Sequence, residues 1–266
     1  MESGKYLSKI HKDIDRRNST DLRIPPFMVL FVLVVFICVA VFQGAQLSID
    51  GADSRLHSVG IFVTGTGVVI SIMYLLTSRR YGHEDRDLDL MTDLLAYSMD
   101  MFDHYGIRET HYLTTMRSCI KAESGLRSFR IRFLSSVAPA AIGLVVLVFN
   151  ATSQTAFSIS CALFAISLAI NVVFLIQCIT YPREHEKRFV TFSDAFSDAM
   201  ARCGIRINGY EPVIGFRPFW PFLVLSIVTV GIFFIYWLYL SMIDMDRHLE
   251  QQWVFENDVM MALKEF

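Results

Sequence analysis

Charge is scarce in this chain. Only 19% of its 266 residues are Asp, Glu, Lys or Arg, against about 25% in an ordinary soluble domain. What charge there is nearly cancels, to a net −2, which removes the electrostatic footprint of a nucleic-acid binder. Cysteine chemistry is also missing. Cys38, Cys119, Cys161, Cys178 and Cys203 form no CxxC pair, so neither a disulfide framework nor a cysteine zinc site is expected. There is no GxSxG, no P-loop and no HExxH. The Gly65-Thr66-Gly67 triplet is too short for a nucleotide loop and sits inside an apolar run. The chain is therefore not expected to be an enzyme, and no cofactor is expected.

What is present is long apolar sequence, with a mean hydropathy of +0.43. Phe219–Ile243 runs for 25 residues without a charged side chain, long enough as a helix to cross a hydrocarbon core of about 30 Å. Trp220 at one end and Tyr236, Trp237 and Tyr239 at the other suit the two headgroup levels. Four more stretches of this kind precede it, at about Phe27–Gln43, Val59–Thr77, Leu134–Phe149 and Ala156–Tyr181. Residues 1–24 are polar and the first apolar run is long enough to span, so no cleavable signal peptide is read. In lipid an unpaired strand edge is forbidden, so even the Val-rich runs are expected to be helical. The fold class is all-α integral membrane, with five transmembrane helices.

Between and after the spans lie three amphipathic segments. In the first, Leu88, Met91, Leu95 and Phe102 share one stripe, widened by Leu90, Leu94, Tyr97 and Met101. The opposite face is acidic, which disfavours an anionic membrane surface and favours packing on protein. In the second, Phe189, Phe192, Phe196, Met200 and Cys203 form the stripe. In the third it is Leu249, Trp253, Met260 and Leu263. The first two regions begin YGHEDR and YPREHEKR and end in Gly-Ile-Arg at 106–108 and 204–206. The order span, turn, span, amphipathic helix, glycine thus occurs twice and suggests a duplicated hairpin-plus-helix unit. The segments are a basic tail 1–24, a first hairpin plus helix 25–108, a basic linker 109–133, a second hairpin plus helix 134–208, and a fifth span plus helix 209–266.

Lys and Arg number six in residues 1–24, one in 44–58, nine in 78–133, none in 150–155 and six in 182–218. The positive-inside rule then places the amino terminus and both long loops in the cytoplasm of a multi-pass cell-membrane protein. Five spans put the carboxyl terminus outside. Asn150-Ala151-Thr152 matches the glycosylation acceptor pattern.

The site candidates follow. Helix-packing faces are expected at Gly60, Gly65 and Gly67, at Ala140 and Gly143, and at Ala162, Ala165 and Ala169, where small residues let helix backbones approach. Thr64, Thr66, Ser167, Asn171 and Gln177 are the polar groups that could line a pore, or could bond one helix to another. No metal site is assigned. His83, His185 and His248, with Glu84 and Glu186, are the weak candidates, and they are expected to be solvated charges at helix starts.

The stretch 225–256 carries Ser226, Ile227, Val228, Thr229, Gly231 and Ile232, then Tyr236, Trp237 and Tyr239, then Asp246, His248, Gln252 and Trp253. It resembles an uncharacterised family of prokaryotic integral-membrane domains, with Phe233 and Phe234 where a tyrosine is frequent. The resemblance covers about an eighth of the chain. It implies a prokaryotic plasma-membrane protein and no catalytic role. The function expected is a non-enzymatic scaffold or complex subunit in the lipid bilayer, self-associating as a homo-oligomer or joined to a membrane protein partner, with no nucleic acid. The alternative is an oligomeric ion channel or passive transporter, and the third is a lipid-modifying enzyme.

Overall fold

The computed structural model describes residues 3–23, 54–108, 110–124, 129–149, 153–229 and 231–265, with scattered positions between 25 and 45. Part of the first expected span, most of the loop after it and the Asn150-Ala151-Thr152 triplet lie outside the described residues. Those described are helical, with no strand among them: α1 Ser3–Asp15, α2 Arg17–Thr20, α3 Ser54–Tyr105, α4 His111–Ser124, α5 Phe129–Phe149, α6 Gln154–Arg202, α7 Phe219–Val228 and α8 Ile232–Lys264.

Two helices are longer than the sequence divisions. The second span and its amphipathic helix are one helix of 52 residues, α3, and the fourth span and its helix are one of 49, α6. Both run on through a potential breaker, α3 through Gly82 and α6 through Pro182. Continuing spares the unsatisfied amide and carbonyl groups that two new ends would create. The ends fall at the expected glycines. Gly106 and Gly204 have φ of 64° and 85°. In both, the following amide reaches back five residues, Ile107 to Phe102 O at 2.9 Å and Ile205 to Met200 O at 3.0 Å. This is the same left-handed C-cap twice.

The 25-residue stretch at 219–243 is broken. α7 ends at Val228, Gly231 takes φ 90°, and α8 begins at Ile232. The Gly231 amide donates to Ser226 O, and Thr229 Oγ1 accepts from the Phe233 amide at 2.9 Å. The two helices fold back on each other. Phe219 and Trp237 have ring centroids 5.7 Å apart and Phe222 and Phe233 5.1 Å. In one straight helix, residues 219 and 237 would stand about 27 Å apart. α7, at 10 residues, is about 15 Å long, half the thickness of a bilayer core.

The chain forms two compact units, each discontinuous in sequence: Met1–Arg23, Arg79–Arg127 and Ile179–Phe266 make the first, Ile24–Ser78 and Ser128–Cys178 the second. The first has an apolar core. Ile10 and Ile14 of α1, Leu90, Leu94 and Met101 of α3, Met116 of α4, Phe189, Phe192 and Phe196 of α6, and Phe255, Val259 and Leu263 of α8 belong to it. The amphipathic stripes read from sequence are its walls. This core joins the amino-terminal helix α1 to the carboxyl-terminal helix α8. The stretch Phe219–Ile243, expected as one span, is not one helix and turns back at Gly231.

In the second unit, among the described residues, one stretch is long and apolar enough to cross a membrane, and it lies within α6. Its interior is mixed, with Ile72, Met73, Leu147, Phe164 and Leu175 buried, and its exterior carries many large apolar side chains. Ser136, Ser160, Ser167 and Asn171 are buried, whereas Leu134 is 64% exposed, Val148 67% and Phe149 80%.

Candidate functional site

Within the first unit, beside the apolar core, lies a buried polar cluster. α3 supplies His83 and Asp87, four residues apart and therefore on one helix face. α6 supplies His185 and α8 supplies His248. All four are buried, at no more than 1% exposure. The expectation of solvated charges at helix starts is overturned. These positions lie within long continuous helices that turn them onto one another. Glu84 and Glu186 are buried too. Glu84 pairs with Arg80, and Glu186 accepts the Val213 and Ile214 amides at 2.9 and 3.0 Å.

Each imidazole is held through Nδ1. His83 donates to Asp21 Oδ1 at 3.0 Å and His185 to Glu123 Oε1 at 2.5 Å. His248 Nδ1 lies 2.8 Å from the Tyr210 hydroxyl, which donates to Glu186 Oε1 at 2.9 Å. Because the one hydroxyl proton goes to Glu186, the His248 ring is the donor to the phenol oxygen. With Nδ1 protonated in all three rings, a neutral ring presents a lone pair at Nε2.

The Nε2 atoms converge. His83 Nε2 and His185 Nε2 are 3.2 Å apart. Asp87 Oδ2 is 3.3 Å from the first and 3.1 Å from the second. One possible ligand atom from each of His83, Asp87, His185 and His248, a ring nitrogen or a carboxylate oxygen, lies within 4.8 Å of all the others. His248 Nε2 is buried without a hydrogen-bond partner. Asp87 Oδ1 is engaged elsewhere, by Arg86 at 2.9 Å and Gln252 at 2.6 Å, which leaves Oδ2 for the centre. Arg86, itself fully buried, also reaches Asp21 at 3.0 Å and Glu256 at 2.8 Å. Trp253 Nε1 donates to Asp21 at 2.7 Å.

The electrostatics differ from ring to ring. Burial opposes a charged His185, but hydrogen bonds to Asp87 and Glu123 outweigh it and raise the ring to about 9. Burial holds His248 down at about 4, against Glu186 and together with the charge of His185 and His83. Asp87 is fully buried, yet His83, Arg86 and His185 hold its carboxyl well below the usual range. Burial lifts Glu256 to about 8 against the pull of Arg86.

The other sequence candidates lie elsewhere. In the second unit, Gly143 is a true close approach. A Cβ there would meet Leu163 Cβ at 3.2 Å and Ser160 O at 3.3 Å, and Ser160 Oγ donates to Gly143 O at 2.9 Å. Ala140 is buried. Ser167 Oγ donates to Ser136 O at 2.5 Å and ties α6 to α5, whereas Asn171 Nδ2 donates to Ser167 O of its own helix at 2.8 Å and reaches Ser136 O at 3.4 Å. Thr66 is buried, Gly60, Thr64 and Gly65 half-buried, and Gln177 exposed. Gly67 is exposed with nothing within 4 Å of an added Cβ, and Ala162, Ala165 and Ala169 also face outward.

Asp87, Asp21, Glu123 and Tyr210 were missed. The His-x3-Asp spacing at 83–87 was a usable signal. Nothing local marks the other three, which come from α4 and two loops. No protein-family model matches the chain, and neither a curated protein nor a solved structure matches it significantly.

Proposed function

We propose that this chain is a multi-pass membrane protein acting as a structural subunit that self-associates within the bilayer. The observation that carries it is the apolar exterior of the second unit, with Leu134, Val148 and Phe149 outside while Ser136, Ser160, Ser167 and Asn171 are turned inward. In water such a surface aggregates, and in lipid it is the ordinary arrangement. The proposed crossings are the four stretches near 27–43, 59–77, 134–149 and 156–181. The α7–α8 hairpin enters and leaves by one face, its exposed Trp220, Ile227, Val228 and Ile232 in the hydrocarbon. The Lys and Arg distribution favours a cytoplasmic position for both termini. Self-association is assigned to the outward stripe Ala162, Ala165 and Ala169, which leaves room for a second helix backbone.

The test is native mass spectrometry of the chain in mild detergent. A discrete oligomer is expected for the wild type, and a monomer for the triple variant with leucine at 162, 165 and 169. A monomeric wild type, or a variant oligomer of unchanged size, overturns the self-association.

A further inference from the structure

We propose that His83, Asp87, His185 and His248 bind one divalent transition-metal ion, Zn2+ before others, in a closed four-coordinate N3O site that staples α3, α6 and α8 together.

Geometry carries the assignment. A tetrahedral ion with ligand distances of about 2.0–2.1 Å sets its ligand atoms about 3.3 Å apart. His83 Nε2, His185 Nε2 and Asp87 Oδ2 form a triangle with edges of 3.2, 3.3 and 3.1 Å. That is one face of such a tetrahedron. His248 has a buried, unpartnered Nε2 and a ring nitrogen within 4.8 Å of the other three ligand atoms, so a small closing of α8 onto the ion supplies the fourth corner.

The chemistry agrees independently. Two imidazole Nε2 atoms meet at 3.2 Å only with a proton or a metal ion between them. Every Nδ1 is fixed from outside by Asp21, Glu123 or Tyr210 with Glu186. This is the outer shell that orients metal-binding histidines and raises their basicity. Charge agrees as well. The carboxylates of Asp21, Asp87, Glu123 and Glu186 surround the rings, Arg86 contacts Asp21 and Asp87 while also shared with Glu256, and Arg188 contacts Glu123. Among the described residues the carboxylates around the rings outnumber these guanidinium groups, which suits a cation at the centre. Imidazole with one carboxylate is a borderline donor set that suits zinc, and calcium or magnesium poorly. All four donors come from the protein and none is open to solvent, so the ion is structural.

The competing occupant of the centre is a proton on His185 donated to Asp87, and the experiment separates the two. The full chain is purified in detergent through a histidine-free tag without chelators, and its metal content is read by plasma mass spectrometry. About one Zn2+ per chain is expected, or uptake of one Zn2+ or Co2+ after chelation, with the intense visible bands of tetrahedral Co2+. His248→Gln and Asp87→Asn should lose the ion. If those variants do not fold, Glu123→Gln and Asp21→Asn keep the ligands and should weaken Zn2+ binding by about 10–100-fold. His104→Ala and His111→Ala, at exposed positions, should keep full occupancy. A wild-type chain that neither carries nor takes up a divalent ion leaves the proton as occupant and overturns the proposal. So does an ion that persists in the ligand variants, which marks it as adventitious.

Discussion

His248 rests on the oxygen of Tyr210 at 2.8 Å, and through that hydroxyl on Glu186. Tyr210 belongs to the loop between α6 and α7, and its own hydroxyl is pushed to a raised pKa by burial and by Glu186. Tyr210→Phe removes one hydroxyl and leaves a buried ring N–H and a buried carboxylate each short of a partner. The expected cost is about 1–3 kcal/mol of stability, read as a lower midpoint in a detergent thermal melt followed by circular dichroism. An unchanged midpoint would show that water replaces the hydroxyl and that this chain of bonds holds nothing.

Arg86 is the cation of the buried network, touching Asp21, Asp87 and Glu256 with no exposed surface. Removing one member of a buried ionic group leaves the others uncompensated, at about 3–5 kcal/mol. Arg86→Met should therefore destabilise strongly, and adding Glu256→Leu should restore part of the loss by deleting a stranded carboxylate. Denaturation of the two variants side by side tests this. A double variant less stable than the single one would contradict it.

Away from the histidines, Asp13 carries a built-in pH response. Burial, then the charges of Asp93 and Asp89, raise its carboxyl from 3.8 to about 6, against the pull of Arg16, and its Oδ2 is buried without a partner. A carboxyl raised on folding favours the fold below the unfolded pKa and loses that contribution as pH climbs through the folded value. Asp13→Asn should therefore stabilise the chain at pH 7.5, by at most about 3 kcal/mol before solvent screening. The gain should fade below about pH 4. Melting curves at both pH values measure it, and a gain larger at pH 4 than at 7.5 would reverse the sign argued here.

Both chain ends belong to one body. Epitope tags placed before residue 3 and after residue 265 should show the same protection from protease in sealed vesicles of one orientation. Opposite protection would mean that the α7–α8 hairpin crosses the bilayer after all.

Gly143 tests the second unit. Gly143→Leu drives a side chain into Leu163 Cβ and Ser160 O and should part α5 from α6, costing about 1–3 kcal/mol as overpacking does. Gly67→Ala, whose added Cβ meets nothing within 4 Å, should not lower the monomer's stability.

How much of this was legible in the sequence depended on how local the signal was. The stripes around Leu90 and Phe192 repeat every three to four residues, so the core they build could be read directly, whereas of the third stripe Leu263 enters that core, Leu249 packs with Tyr181 and Met245, and Trp253 bonds Asp21. Gly106 and Gly204 could be read as helix ends because they stand after long periodic runs. Gly231 could not, because the apolar residues on both sides of it continue without interruption. The chain turns there for a backbone reason that hydropathy does not register. The histidines were noticed but weighed one at a time. His83, His185 and His248 look like ordinary charges until three helices are brought together, and Asp21, Glu123 and Tyr210 carry no pattern at all. Asp87 was the missed opportunity, since its i+4 spacing from His83 is as local as any stripe.

Asp21 and Trp253 are hydrogen-bonded across 232 positions of sequence. During synthesis at about 5–20 residues per second, the amino-terminal segment waits some 10–50 s for its partner to emerge. The first unit therefore closes late, as one event, after the apolar hairpins have been made. Until then the carboxylates of Asp21, Asp87 and Glu123 and the rings of His83 and His185 are in water, where they can take up an ion before the last helix arrives to seal them in.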